Sequence, residues 1–255
     1  MFMRFVLIVA ASSAASAPVT VRYRIEQKTE SKVDLSGFGQ GEQIQNQGSL
    51  WFVSITYTDS AGGRVVHVVV DSLRVDGGMM PVPQASVDSA KGATFHGFLD
   101  AEWRLKSMAP SQTSLLIAQF ESTLRLLHPS IQRGAVAGAR WTDTLDVSTK
   151  TAQADLTGNT VRNFVMGGAE AFEGTPATRL NVESLTSIKG TLETPGGTAE
   201  MAGSGPGTGT FYLASDGRFV GGTSTSNVEA LVTLATAPAP IPVKTTTVTT
   251  VSVLK

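Results

Sequence analysis

His67, His96 and His128 are the only histidines in this 255-residue chain, and there is no cysteine at all. The three lie far apart, with no H-x-x-x-H or H-x-H pair, so the spacing predicts no metal centre. His67 falls among valines on the polar face of a strand; His128 closes a helix, where a partial positive charge is favourable. Carboxylates offer one candidate constellation. Asp100 and Glu102 flank a turn, as Asp216 does in the second half, and Arg104 and Arg218 follow at equivalent places. Two acids can share proton transfer only where something desolvates them. Nothing near them in the sequence does so, and the pattern reads as turn architecture with a surface ion pair. Gly203-Ser204-Gly205-Pro206-Gly207 resembles a nucleophile elbow only superficially, and its Gly and Pro predict a hairpin or loop. Gly37, Gly39 and Gly41 precede no helix, and no Walker lysine follows, so a phosphate cradle is not expected. No catalytic residue, metal or cofactor is therefore assigned, and an enzyme is not the expectation.

The elements that would position any site are strands. Val19, Val21, Tyr23 and Ile25 alternate with Thr20, Arg22, Arg24 and Glu26, a period of two that turns one face to the core. Trp51, Val53, Ile55 and Tyr57 repeat the pattern, and Val66, Val68 and Val70 follow after an Asp59–Gly63 turn. Further strands are expected at 140–156, 159–172, 176–193, 198–214, 217–235 and 243–254, with turns at Gly196-Gly197 and Asp216-Gly217. One segment breaks the rule: Leu115, Leu116, Phe120, Leu124 and Leu127 step by three and four, predicting a helix over 111–127 capped by Ser111. Glu121 and Arg125 can pair on its other side. Residues 237–242 form a proline-rich connector to a final strand dense in Thr and Val. The fold class expected is mainly β: an antiparallel curved sheet, a half-barrel or open barrel, of two related meanders with one central helix.

Composition narrows the setting. Twenty basic and 21 acidic residues give a net charge of -1, so no strong field draws nucleic acid or an anionic membrane. Arg4, the apolar run Phe5–Ala11 and the Ala15-Ser16-Ala17 site read as a signal peptide over 1–17, cut after Ala17, too short to span a bilayer. A periplasmic or secreted protein without a transmembrane anchor is expected, and the lack of cysteine excludes both disulfides and a cysteine-linked lipid. Residues 18–255 are expected to form a single β-rich domain: a first meander over 18–109, the helix, a second meander over 130–236 and a C-terminal strand over 243–254.

A faint repeat supports two meanders. Val70-Asp71-Ser72-Leu73 matches Val182-Glu183-Ser184-Leu185, and Phe98–Leu105 aligns with Tyr212–Phe219 at nearly the same separation. Trp51 and Trp141, each entering a long strand, are a further candidate pair. Gly138-Ala139-Arg140-Trp141-Thr142-Asp143-Thr144 opens the second set of strands. With the leader, the long strands and the central helix, this layout resembles a group of exported bacterial proteins of unknown function whose second half starts with a G-x-x-W-x-[DT]-x phrase. More remotely, it is similar to the lipoprotein-carrier half-barrels, in which a curved sheet under a helical lid holds acyl chains. No functional residue of those carriers matches a position here. What the resemblance implies is a binding module for an apolar small molecule or lipid on the concave face. Inward residues such as Val53, Ile55, Val68 and Leu180 are the candidate ligand contacts. The rival expectation is a structural or protein-interaction module of the cell envelope, its partner docking on an exposed edge such as the C-terminal Thr/Val strand.

Overall fold

The computed structural model describes residues 17–78, 82–132, 134–151, 154–194, 197–235, 237 and 239–254. The leader expected over residues 1–17 lies, but for its last position, outside the described residues. The first strands are β1 (Val19–Asp34), β2 (Glu42–Ser60), β3 (Gly63–Gly77), β4 (Thr94–Asp100) and β5 (Leu105–Pro110). Two helices follow β3 and β5 respectively: α1 (Gln84–Ala90) and α2 (Leu115–Leu126). The second set is β6 (Arg140–Lys150), β7 (Ala154–Phe172), β8 (Thr175–Thr194), β9 (Gly197–Leu213), β10 (Phe219–Leu234) and β11 (Ile241–Val253). All 11 strands form one antiparallel sheet, curled into a half-barrel, in the order β5-β4-β3-β2-β1-β11-β10-β9-β8-β7-β6.

That order explains the helix. β5 and β6 are the two outer edges of the sheet, so the chain between them must cross the open side of the half-barrel. α2 makes the crossing and drops its apolar stripe into the concavity, with Ile117, Phe120 and Leu124 inaccessible to solvent. Phe120 stacks on Trp51 with ring centroids 4.2 Å apart and meets Phe95 edge-on at 5.7 Å. The helix begins later than expected: Ser114 is the N-cap, its hydroxyl accepting from the Ile117 N–H, whereas the Ser111 hydroxyl accepts from the Thr94 N–H. The short α1, which the sequence reading did not anticipate, buries Val87 and Ala90 in the same core.

Two further expectations are overturned. Gly203–Gly207 lies inside β9, not in a turn. A proline lacks the N–H a central strand needs, and the ladder from β9 to β10 lapses at Gly205 and Pro206, between the pairs Gly207–Ser226 and Ser204–Glu229. The C-terminal strand is no edge either. β11 sits mid-sheet, bonded to β1 on one side and β10 on the other, so its backbone is not free to dock a partner.

The aligned turns have one geometry. In the first, Asp100 N–H donates to the Arg104 carbonyl and Trp103 N–H to the Asp100 carbonyl; in the second, Ala214 N–H donates to Arg218 and Gly217 N–H to Ala214. Trp103 and Gly217 both take positive φ, 60° and 85°. The two turns also meet, because a Cβ on Gly217 would lie 2.5 Å from the Trp103 indole nitrogen. In sheet order β2 corresponds to β7, so Trp51 and Trp141, on β2 and β6, are not equivalent.

Candidate functional site

Successive cross-strand pairs show how the concave face changes along the strands. Ile25 stands between Trp51 and Val251, and this layer is solidly apolar. Two residues further, Gln27 stands between Ser49 and Thr249; then Thr29 between Gln47 and Thr247; then Ser31 between Gln45 and Thr245. On the other side Ser224 faces Gly209, and Ser226 faces Gly207. Since strand side chains alternate, one choice of face at Ile25 dictates all of these. The concavity is thus hydrocarbon at one end and hydroxyl and amide at the other. Gln27 marks the border, donating to Thr123 of α2 at 3.1 Å and to Thr249 at 3.3 Å.

α2 packs flush over β1–β4 but not over β7–β10. There a cavity of about 190 Å³ remains between the helix and the sheet. Its apolar wall is Leu126, Leu145, Val182 and Phe211; Thr160, Ser184, Thr186, Ser224 and Ser226 are among the hydroxyl-bearing residues that line it, and Arg162 also borders it. The four residues expected to contact a ligand are elsewhere. Val53, Ile55, Val68 and Leu180 are each fully buried in the packed core and none lines this cavity. The sequence carried a usable signal for the hydroxyl wall, because once Val182 is inward, a period of two turns Ser184 and Thr186 inward as well.

Arg162 and Leu145 belong to the walls of both this cavity and a second one, of about 610 Å³, at the open seam between β5 and β6. Arg162 is only 4% exposed. Its Nε and Nη2 donate to the two carboxylate oxygens of Asp143, each at 2.7 Å, leaving Nη1 buried without a partner among the described residues. The second Asp143 oxygen also accepts from the Ser130 N–H at 3.3 Å, and the Trp141 indole donates to the Ser130 carbonyl at 2.7 Å. These bonds fasten the chain leaving α2 onto β6.

His128 lies just past the helix, buried, with Nδ1 2.8 Å from the Leu124 carbonyl and Nε2 3.4 Å from the Tyr57 hydroxyl. A carbonyl can only accept, so Nδ1 carries the proton and Nε2 faces the phenol as acceptor. Burial pushes the Tyr57 phenol up to about 12, keeping its proton available to donate. The charged helix end expected for His128 is therefore not found: burial, with the nearby Arg162 charge, lowers its pKa from the ordinary 6.5 despite the Leu124 bond. A depressed histidine pKa means the unfolded chain takes up the proton first. Stability is then full above about 6.5 and falls as pH drops from there towards the folded-state value. Urea unfolding at stepped pH should show this decline, and His128→Gln should flatten it; an equally steep decline in the variant would rule His128 out as its source.

On the convex face, register brings together two histidines that are distant in sequence. His67 and His96 are directly paired across β3 and β4, their Nδ1 atoms 3.3 Å apart. Among the described residues no third His, Cys, Asp or Glu joins them to make a metal-binding group. Asp100 works in its turn as expected, accepting from the Glu102 and Arg104 N–H groups, although its ion-pair partner is Lys106 rather than Arg104. No protein-family model matches the sequence, and no curated protein matches it.

Proposed function

We propose that the chain is an exported binding module that holds an apolar ligand, such as a lipid or acyl chain, on its concave face beside α2. The observation that carries this reading is the 190 Å³ cavity between α2 and β7–β10, with its apolar wall of Leu126, Leu145, Val182 and Phe211. An apolar cavity of about 150 Å³ is enough to hold benzene, so this one suits a short hydrocarbon segment rather than a whole lipid. Burial there would contribute about 25 cal/mol per Å² of apolar surface, less the cost of ordering the ligand. The remote likeness of layout to lipoprotein carriers points the same way. A second reading, an envelope scaffold without ligand, is favoured by the flush stacking of Phe120 on Trp51 over the first meander.

Native mass spectrometry of the recombinant mature protein, together with titration of a fluorescent acyl probe, separates the two. Retained lipid or saturable probe binding is expected. Ser184→Phe, which projects a ring into the cavity, should weaken the probe by about tenfold or more without lowering stability. A protein free of lipid that also ignores the probe would leave only the scaffold.

A further inference from the structure

We propose that the seam between the edge strands β5 and β6 is a site for an anionic group, a phosphate or carboxylate, carried by the ligand whose apolar part occupies the neighbouring cavity. This deepens the proposed function and rests on it for the apolar part. The seam is where a closed barrel would have paired its edges. Instead it holds the cavity of about 610 Å³, within the usual range for small-molecule sites.

Charge selects the ligand class. Five cationic residues line the seam, Arg104, Lys106, Arg125, Arg140 and Arg162, against one carboxylate, Asp143. Lys106, Arg125 and Arg162 are paired with Asp100, Glu121 and Asp143, but Arg104 and Arg140 have no ion pair among the described residues. Arg104 and Arg140, neither of them in an ion pair among the described residues, thus border one cavity in a chain whose net charge is -1. Arginine forks suit the planar or tetrahedral oxygens of carboxylate and phosphate. The backbone adds donors. Consecutive residues 140–145 of β6 and 104–106 at β5 line the cavity, as unpaired strand edges do, and the outer edge of β6 has no ladder partner. At the inner end lies Arg162, with the buried Nη1 that no group among the described residues satisfies. Through Arg162 and Leu145 this cavity adjoins the apolar one, so head and tail of one amphiphile can be held together.

The test compares laurate with dodecanol, which share a chain length and differ in charge, on the mature protein and on an Arg104→Gln, Arg140→Gln double variant. Both arginines are exposed and unpaired, so the variant should keep the parent's melting temperature. At low salt, laurate is expected to bind about tenfold more tightly than dodecanol, an advantage that high salt erodes and the double variant loses, with dodecanol unchanged. Equal affinities for the two, or a laurate preference that survives in the variant, would overturn the anion site while leaving the apolar one standing. If neither amphiphile binds, the ligand reading fails, and inorganic phosphate decides the seam alone. Phosphate binding that the double variant abolishes would assign the site to a free anion; no phosphate binding would overturn it.

Discussion

Phe120→Ala should lower the unfolding free energy by about 3–5 kcal/mol, the range for deleting a fully buried phenylalanine. The ring is inaccessible to solvent, sandwiched between Trp51 at 4.2 Å and Phe95 at 5.7 Å. Two aromatic contacts are lost together with the transfer energy, and the sheet beneath cannot collapse into the gap, because Trp51 and Phe95 are fixed on separate strands of one sheet, β2 and β4, with β3 between them. Phe120 is the ring of α2 that stacks on Trp51, so the same change should loosen the helix there and expose Trp51. Chemical denaturation gives the magnitude, and the Trp51 contribution to fluorescence gives the loosening. Leu115→Ala is the control: that side chain is 38% exposed and its loss should cost far less. A Phe120→Ala cost below about 1 kcal/mol would mean that α2 is not the keystone described.

Asp143→Ala should be comparably damaging, at about 3–5 kcal/mol, for a different reason. It strands the Arg162 guanidinium, 4% exposed, with both of its bidentate hydrogen bonds gone and one nitrogen already unsatisfied. It also releases the Ser130 N–H, and with it part of the clasp between the end of α2 and β6. The pair itself need not be worth that much. Replacing both partners with apolar residues, Asp143→Leu with Arg162→Met, should recover most of the loss, since no charge is then left buried alone. A double variant as unstable as Asp143→Ala would show that the clasp, rather than the stranded charge, carries the cost.

Much of the second meander was legible because period-two patterns and turn residues agree there. The strand expected over 176–193 spans Thr175–Thr194, and that over 198–214 spans Gly197–Leu213. Local chemistry misled where the sheet overrides it. Gly203–Gly207 carries every mark of a turn, yet β8 and β10 on either side hold it extended, and its inward glycines sit where a Cβ would strike the neighbouring strand, as Gly205 does against the Asn227 carbonyl. The candidate ligand residues lie away from the cavity for a related reason. Alternation identified Val53, Ile55, Val68 and Leu180 as inward, but inward is not the same as accessible, and which part of the concavity α2 fills depends on the strand order. Strand order also brings Arg104 to the same cavity as Arg140, and register brings His67 to His96. No local pattern encodes either.

The central place of β11 has a kinetic consequence. Each meander can zip up through hairpins between neighbouring strands, but the joint between them pairs Tyr23 with Val253, nearly the whole described chain apart. Such a contact closes a very long loop for little early reward, so it should form late. Until it does, the chain is two partial sheets, each presenting a long unpaired edge, β1 on one and β11 on the other, that are complementary to each other. A second copy of the chain offers the same two edges, and at high concentration the β1 of one molecule can reach the β11 of another first, giving a strand-swapped dimer in place of the monomer.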